Sequence, residues 1–475
     1  MAWPAIAGGT HAGSGMRIYS NVPLADMPPE LVAAQADHLL NEGFLGVTKA
    51  PYNAANDGSV DVTAVLQQAI DDAFFNNLVV YFPKGTYLVS GQLRMEQRRV
   101  PGKPKGQRKF ANILVGDDSG GTSPVIKLQD GASFDQDRLL QFEYVGTDDS
   151  YTSRATPHYN AALRGLAIDM GDNPTKTALS MDGAQYCVIE DVEIYGEFDI
   201  GIHGLPGSGG SVTNVTITGG NIGIRQNLCR PSPSIQSVTL IGQKQYGIKL
   251  DQSRGPLVVS GFEIVGPRDG SDQYRAIWLQ SREIDADPAT ANLVLSDGTI
   301  EVFGEGPAIE NFDQDMYLRN VYVNAELIAS SGAKHSPVEE LGGKAGAWTK
   351  VGAYMFINGS DGTLATLDGE SFGTQGEDRE YRDDIAIVDA PPDDLVSRHS
   401  WDQSTFPTYF DGAVIDVVKD YGVTRDDNGD DDAPLINQAL RDSVTPGHPH
   451  SGKPVFLPRG HFHIASTVTV PAGAS

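Results

Sequence analysis

A short alternating pattern returns along the chain at a nearly constant interval, and it constrains the fold more than any other feature. Each copy has a small or polar residue followed by an apolar residue, any residue and a second apolar residue. The copies begin at Gly165, Asp191, Asn214, Ser237, Gly261 and Asn320, with a shorter version at Gly298. Their last residues lie 26, 23, 23, 24, 36 and 23 residues apart. Alternation with period two predicts half-buried strands, and the constant interval predicts one coil of a stacked solenoid per copy.

A second strand follows each first strand at a fixed offset. These second strands begin at Gly201, Gly223, Gly247, Ala276 and Ala308. Two strands per coil, joined by turns in a chain with 54 glycines, predict an all-β fold of the right-handed parallel β-helix type. The interval of 36 residues indicates an inserted loop near residues 281–291.

An open end of a solenoid needs a cap, because its unpaired strand edges would otherwise pair with other chains. Residues 61–73 predict an N-terminal capping helix with Asp61 as its N-cap. The same pattern returns about 370 residues later, where residues 429–440 echo residues 58–70. We therefore predict an N-terminal extension with a helix at 1–50, a first parallel β-helix at 51–330, an irregular region and linker at 331–411, and the beginning of a second β-helix unit at 412–475.

Composition narrows the function classes. The formal net charge of −27 repels polyanions, so we expect no nucleic-acid partner. No window approaches the roughly 18 apolar residues that a membrane helix needs, so we expect no membrane partner. The N-terminus carries no visible export signal, but a mature secreted chain would look the same. Cys187 and Cys229 fit either a disulfide between neighbouring coils or two free thiols.

Two segments carry a resemblance to a known superfamily. The pair formed by residues 56–61 and by Phe82-Pro-Lys-Gly-Thr-Tyr87 resembles the opening of the pectate-lyase-like superfamily. The duplication of this unit, together with residues 207–224, resembles glycoside hydrolase family 55, whose tandem β-helices cleave β-1,3-glucans by inversion. The resemblance implies a secreted or extracellular enzyme that is truncated within its second β-helix, before any position equivalent to the family's general acid. The glutamine pair that usually follows the Gly-Gly motif is also absent, since residues 227–234 read Asn-Leu-Cys-Arg-Pro-Ser-Pro-Ser.

The phase of the second strands places polar and aromatic side chains in one outward-facing column. Its predicted members are His203, Arg225, Lys249, Trp278 and Glu310, with Arg230, Tyr246 and Arg275 close by in sequence. Donors for hydroxyl or carboxylate groups beside an aromatic ring suit a polysaccharide, so we assign these residues to substrate binding, His203 excepted. The alternative interpretation is an ordinary solvated face.

Three functions remain open. Glu197 and Asp199, with His203 nearby, are the candidate catalytic residues for hydrolysis by paired carboxylates, which inverting enzymes hold roughly 6.5–9.5 Å apart. A polysaccharide lyase acting on a uronate-containing glycan would instead neutralise a carboxylate with Arg225 or Lys249 and remove a proton with His203 or Tyr246. The third function is a non-catalytic glycan-binding or tailspike-like module, and the sequence leaves the oligomeric state open.

No cofactor and no metal site are predicted. Residues 424–429 resemble a calcium loop only superficially, because Thr424 holds its first position and Leu435 its twelfth.

Overall fold

The computed structural model describes residues 29–35, 40, 43–98, 111–117, 121–145, 158–183, 185–207, 209–227, 232–251, 253, 255–280, 291–312, 314–332, 339–359, 366–367, 369–373, 377–400, 414–424, 429–458, 460 and 462–474. Across these residues parallel strands dominate, and almost all of them belong to one continuous sheet of 23 strands. None of the described helices is long and apolar enough to cross a membrane.

The N-terminal part forms a cap and the first coils. A short helix, α1 (Pro29–Ala34), precedes the capping helix α2 (Thr63–Phe75). The strands around and after these helices are β1 (Phe44–Gly46), β2 (Asp57–Asp61), β3 (Val79–Phe82), β4 (Thr86–Val89), β5 (Leu93–Arg98), β6 (Ile113–Gly116), β7 (Val125–Leu128) and β8 (Arg138–Val145). Helix α2 buries the predicted apolar face, including Leu66 and Ile70.

The predicted N-cap of α2 is wrong by one residue. The N-cap position is Val62, which makes no side-chain capping hydrogen bond. The Asp61 carboxylate accepts hydrogen bonds from the backbone N–H of Thr63, at 2.9 Å, and from the Ser90 hydroxyl. Asp61, one residue before the N-cap, therefore accepts a backbone N–H of the first helical turn. Its bond to Ser90 also connects the start of the helix to the residue that follows strand β4.

The regular coils follow with two strands each. The strands are β9 (Ala162–Met181), β10 (Val188–His203), β11 (Ser211–Gly219), β12 (Ile222–Gln226), β13 (Ser234–Ile241), β14 (Tyr246–Leu250), β15 (Leu257–Val265), β16 (Arg275–Gln280), β17 (Leu293–Glu301), β18 (Ile309–Phe312), β19 (Met316–Asn324) and β20 (Leu327–Ser331). Every first strand pairs in parallel with the next first strand, and every second strand with the next second strand. The predicted parallel β-helix is confirmed.

The last apolar residues of the repeats stack in one column inside the β-helix. In the strand register, Ile168 pairs with Ile194, and each later member pairs with the one before it. The column, whose side chains are all completely buried, consists of Ile168, Ile194, Ile217, Leu240, Ile264, Ile300 and Val323. Stacking identical apolar positions at the strand spacing of about 4.8 Å removes each of them from water.

From Asp191 onward, the residue just before the first apolar position of each repeat forms a bend in the first strand, and in the shorter repeat this residue is Asp297, just before Gly298. These residues have left-handed backbone dihedrals and stack coil upon coil. We call them the turn ladder, which consists of Asp191, Asn214, Ser237, Gly261, Asp297 and Asn320. Asn and Asp tolerate this conformation better than other residues with a side chain, which explains their recurrence here.

The region 331–411 differs from the predicted irregular linker. It contains the antiparallel strands β21 (Glu339–Gly342), β22 (Trp348–Ile357), β23 (Thr366–Leu367), β24 (Glu370–Ser371) and β25 (Arg379–Val388), followed by a 3₁₀ turn at Ser397–His399. Strand β22 pairs with β19 and with β25. These strands cover the open edge of the last coil, which would otherwise expose unpaired backbone groups.

The C-terminal residues repeat the cap. They form β26 (Ile415–Asp416), α3 (Val417–Tyr421), α4 (Ala433–Val444) and β27 (Val455–Phe456), around a small core separate from that of the β-helix. The Tyr421 hydroxyl donates to Asp442 at 2.8 Å, just as the Tyr52 hydroxyl donates to Asp72 at 2.8 Å in the first cap. The same side-chain bond in both units agrees with the duplication read from the sequence.

Candidate functional site

The second strands bring the predicted column together. His203 pairs with Arg225, Arg225 with Lys249, Lys249 with Trp278, and Trp278 with Glu310. The register continues to Ser180 below His203 and to Ser330 above Glu310. The residues on either side of each member, such as Ile277 and Leu279, point into the core. We call the five residues from His203 to Glu310 the outer column.

The outer column is less exposed than the sequence predicts. His203 keeps 7% of its surface accessible and Trp278 keeps 9%. Arg225, Lys249 and Glu310 are half-buried. Strand alternation correctly indicates which face a side chain occupies, but it cannot indicate what neighbouring side chains and turns cover that face.

Arg225 is held by a carboxylate that sequence reasoning missed. Its Nε lies 2.9 Å from Oδ2 of Asp251, which is 2% exposed. Oδ1 of Asp251 is buried without a hydrogen-bond partner. Asp251 lies two residues beyond Lys249, just past the end of a second strand. A carboxylate at this position, next to the basic Arg225 of the coil below, is the sequence feature that could have indicated the ion pair. No described residue engages the terminal nitrogens of Arg225, so they remain able to bind an anion.

Three aromatic rings line the next three coils. Tyr246 lies 6.0 Å from Trp278 between ring centroids, and Trp278 lies 5.5 Å from Phe312. The Lys249 ammonium lies 4.8 Å from the Tyr246 ring and 4.7 Å from the Trp278 ring. Rings hold a cation by their electron-rich faces, so these two rings fix the Lys249 ammonium in position. Phe312 was not predicted, although it lies only two residues after Glu310.

The upper end of the outer column is a second ion pair. Arg275 Nε lies 3.0 Å from Oε2 of Glu310, and the Arg275 guanidinium also donates to the backbone carbonyl of Tyr274 at 2.8 Å. Tyr246 lies within electrostatic range of this pair. Burial and then Glu310 raise the pKa of Tyr246, although Arg275 opposes the shift. The phenol therefore stays protonated at neutral pH.

His203 is held in its neutral form. Burial lowers the pKa of His203 to about 4, and the positive charges of Arg138 and Arg225 act in the same direction. Its Nδ1 is buried without a hydrogen-bond partner. A neutral imidazole has one nitrogen that can accept a proton, so His203 is a possible base beside two guanidinium groups.

Glu197 and Asp199 do not join this cluster. Glu197 is half-exposed and forms an ion pair with Lys244, while Asp199 accepts a hydrogen bond from Asn221 at 3.2 Å. No hydrogen bond or ion pair connects either carboxylate to His203 within the described residues. Among the described residues, the three predicted catalytic residues therefore do not form one contact group. Glu197 and Asp199 lie in the stretch where β10 shifts register against β9, whereas His203 lies in the regular second strand beyond it.

Other predicted features are placed as follows. Arg230 and Cys229 lie outside the described residues, and Cys187 is buried, with its Sγ donating to the backbone carbonyl of His158 at 3.4 Å. Within the described ranges, no group of three or more His, Cys, Asp or Glu side chains could hold a metal ion. Beside the segment that superficially resembles a calcium loop, Asp431 accepts backbone N–H groups of Ala433 and Ala465 and therefore braces the turn.

Comparison with known proteins found a family model that matches part of the chain. Residues 48–272, just under half of the chain, match the family described as rhamnogalacturonase A/epimerase, pectate lyase-like. The chain is also 22% identical over 459 residues to the non-secreted LysM effector LysM19 of Penicillium expansum. That match covers 89% of this chain and 32% of the relative, so the chain spans about a third of the length of that curated relative.

Solved structures with low identity are also similar. A surface protein and adhesin of Streptococcus pneumoniae is 14% identical, with 60% of this chain and 86% of that chain covered and a TM-score of 0.33. The catalytic unit of a GH87 alpha-1,3-glucanase from Streptomyces thermodiastaticus strain HF3-3 is 16% identical, with 61% of each chain covered and a TM-score of 0.31. Over residues 48–272, the family match confirms the resemblance of this chain to the pectate-lyase-like superfamily.

Proposed function

We propose that this protein is a carbohydrate-active enzyme that binds an extracellular polysaccharide along the outer column and cleaves it there. The observation that carries the proposal is the contact group of neutral His203, Arg225 and buried Asp251 on the outer side of the β-helix. The family match supports a carbohydrate-active or glycan-binding β-helix protein. The aromatic rings that follow along the column supply the apolar contact that a sugar ring needs.

The charge of the site favours a glycan that contains uronate. Four basic residues, Arg138, Arg225, Lys249 and Arg275, lie along the site in a molecule of net charge −27, and Arg225 and Arg275 pair with the carboxylates of Asp251 and Glu310. The terminal nitrogens of Arg225, which no described residue engages, suit a carboxylate, because guanidinium groups bind carboxylates in a bidentate manner. Pairing with Asp251 through Nε orients that guanidinium before the substrate arrives.

The geometry favours elimination. In this reaction the C5–H bond breaks, a C4–C5 double bond forms, and the C4–O bond to the leaving sugar breaks, while the leaving oxygen takes up a proton from water to become a hydroxyl. Neutral His203 would accept the proton, and Arg225 with Arg138 would stabilise the charge that develops on the uronate carboxylate. A base of this kind contributes about 10²–10⁴-fold to the rate.

Hydrolysis of the β-1,3-glucanase type is the second candidate. It is favoured by the resemblance to glycoside hydrolase family 55 and by Asp251, whose buried Oδ1 has no partner and could serve as one of the two required carboxylates. Hydrolysis would add water across the glycosidic bond and yield a new reducing end without a double bond.

Product analysis tests the proposal. We expect uronate-rich oligosaccharides to give products that absorb in the ultraviolet, and we expect His203→Gln to reduce that rate at least about 100-fold. New reducing ends without this absorbance would favour hydrolysis. Binding of uronate-rich or laminarin-like oligosaccharides without any product would contradict the proposal that the protein is an enzyme. It would instead favour the interpretation as a non-catalytic glycan-binding module.

Calorimetric titration tests the substrate class separately. Arg225→Gln should weaken binding of uronate-rich oligosaccharides by about 1.5–3 kcal/mol, because a charged hydrogen bond is lost, and should change binding of a laminarin-like glucan little. Lys244→Gln is the matched control, since Lys244 is exposed and pairs with Glu197 away from the outer column. Equal affinity of the Arg225 variant and the parent for every glycan would reject the outer column as the binding site.

A further inference from the structure

Residues 394–400 return from the antiparallel sheet and lie across the turn ladder. We call this segment the latch. The Ser400 hydroxyl donates to the Ser237 hydroxyl at 2.9 Å, and the Ser237 hydroxyl donates to the carbonyl of Val396 at 3.2 Å. Leu395 is 2% exposed. The latch thus spans coils far from it in sequence and fastens the chain that follows strand β25 to the side of the β-helix.

One member of the turn ladder is shaped for the latch. A Cβ atom added to Gly261 would lie 2.8 Å from Cβ and 2.9 Å from Cδ2 of His399. The neighbouring members of the ladder carry side chains in the same left-handed conformation, as Asn214 and Asn320 do. Gly261 is therefore not required by the backbone of the ladder, and its missing side chain makes room for His399.

The charged contacts of the latch converge on one carboxylate. Nε2 of His399 lies 2.9 Å from Oδ2 of Asp297, and Arg398 lies 3.5 Å from Oδ1. Asn320, next on the ladder, also donates to Oδ1. The other charged or titratable groups that face these residues are Asp394, which pairs with Arg398, and Tyr322, which acts on Arg398 electrostatically.

We propose that the latch is an acid-released fastening, in which protonation of Asp297 frees residues 394–400 from the turn ladder while the β-helix stays folded. Partial burial opposes ionisation of Asp297, but the hydrogen bonds from Asn320 and His399 outweigh it, so the pKa of Asp297 is lowered. A carboxyl with a lowered pKa holds its partners fully above its ordinary pKa of about 3.9, and this contribution is lost as the pH falls below that value. The core side chains of strands β11 and β13 are apolar, so their packing does not depend on the ionisation of Asp297.

Hydrogen exchange of the full-length chain, followed by mass spectrometry and corrected for intrinsic rates, tests the latch. Between pH 7 and pH 3 we expect exchange of residues 394–400 to accelerate at least about tenfold, because hydrogen bonds to a charged group are lost. Peptides from strands β11 and β13 should keep their protection. Unchanged protection of the latch at pH 3 would overturn the proposal.

Two variants test the latch at pH 7, so the result does not depend on whether acid also lowers the stability of the β-helix. Asp297→Asn places a neutral side chain that the ladder already accepts at Asn214 and Asn320, so it should open the latch at pH 7 and abolish its acid dependence. Gly261→Asn should open the latch at pH 7 by collision with His399. Asn214→Ser changes a ladder position that the latch does not contact and is the control. A protected latch in the Asp297 and Gly261 variants at pH 7 would reject the proposal.

Discussion

At the scale of single residues, Ile217 shows that each interior position of the β-helix requires an apolar side chain. Its side chain is completely buried between Ile194 and Leu240 of the neighbouring coils. Ile217→Asp would bury an unpaired charge, and we expect a loss of several kcal/mol of stability that prevents folding. Thr218→Asp, on the exposed face of the same strand, should fold and melt like the parent. Circular dichroism melting compares the two, and a soluble, cooperatively melting Ile217→Asp protein would contradict the core assignment.

Trp278 illustrates a residue whose position was predictable while its energetic role was not. The sequence indicates an exposed ring, so that removing it should affect glycan binding alone. At 9% exposure, and packed on Tyr246 and Phe312, the ring also supports the fold. We therefore expect Trp278→Ala to lower the free energy of unfolding by about 3 kcal/mol in denaturant titrations. Trp278→Phe should recover much of this loss. Parent-like stability of the Ala variant would show that the ring is freely exposed.

His203 makes stability depend on pH in a defined window. Its pKa is about 4 in the folded protein against an ordinary value of 6.5, so the unfolded chain binds the proton more tightly. Stability is therefore fully present above pH 6.5 and is lost as the pH falls toward 4, by about 3 kcal/mol in total. His203→Gln should remove this component, which thermal melting at several pH values would measure. Identical pH profiles of the variant and the parent would contradict a buried, neutral His203.

At the scale of elements, the strands of the β-helix could be predicted because each coil repeats one pattern in constant phase. The pairing of His203 with Arg225 and of Ile217 with Leu240 follows directly from that phase. The latch could not be predicted in this way. It depends on the absence of a side chain at Gly261 and on single contacts made by His399, far away in sequence, and neither has a periodic signal. The role of Asp251 could not be predicted for the same reason, since this residue lies just beyond the repeated strand.

The latch also changes what limited proteolysis should reveal. The sequence predicts cleavage anywhere within residues 393–411, because that region reads as a linker. Bonding of residues 394–400 to the turn ladder restricts protease access to their backbone, so we expect no cuts between Asp394 and Ser400 at neutral pH. Mass spectrometry of the fragments would locate the cuts. Rapid cleavage between Asp394 and Ser400 would mean that the latch is open in solution.

At the scale of the whole molecule, two apolar cores of unequal size coexist. The β-helix core runs through every coil, whereas the C-terminal unit buries only a small cluster around Ile415, Ile436 and Ala439. Its Leu457 is 45% exposed, although the equivalent Phe82 of the first cap is completely buried beneath the next coil. A unit of about 60 residues with an incompletely covered core has little stability of its own.

Unequal cores predict two separate unfolding transitions. Calorimetry should show the C-terminal unit melting first and the β-helix at higher temperature, since the two clusters do not share side chains. Ile436→Asp would place a charge in the small core and should abolish the first transition while leaving the second where it was. Gln438→Asp, at an exposed position of the same helix, is the matched control and should retain both transitions. A single transition that Ile436→Asp shifts as a whole would show instead that the C-terminal unit and the β-helix unfold as one cooperative body.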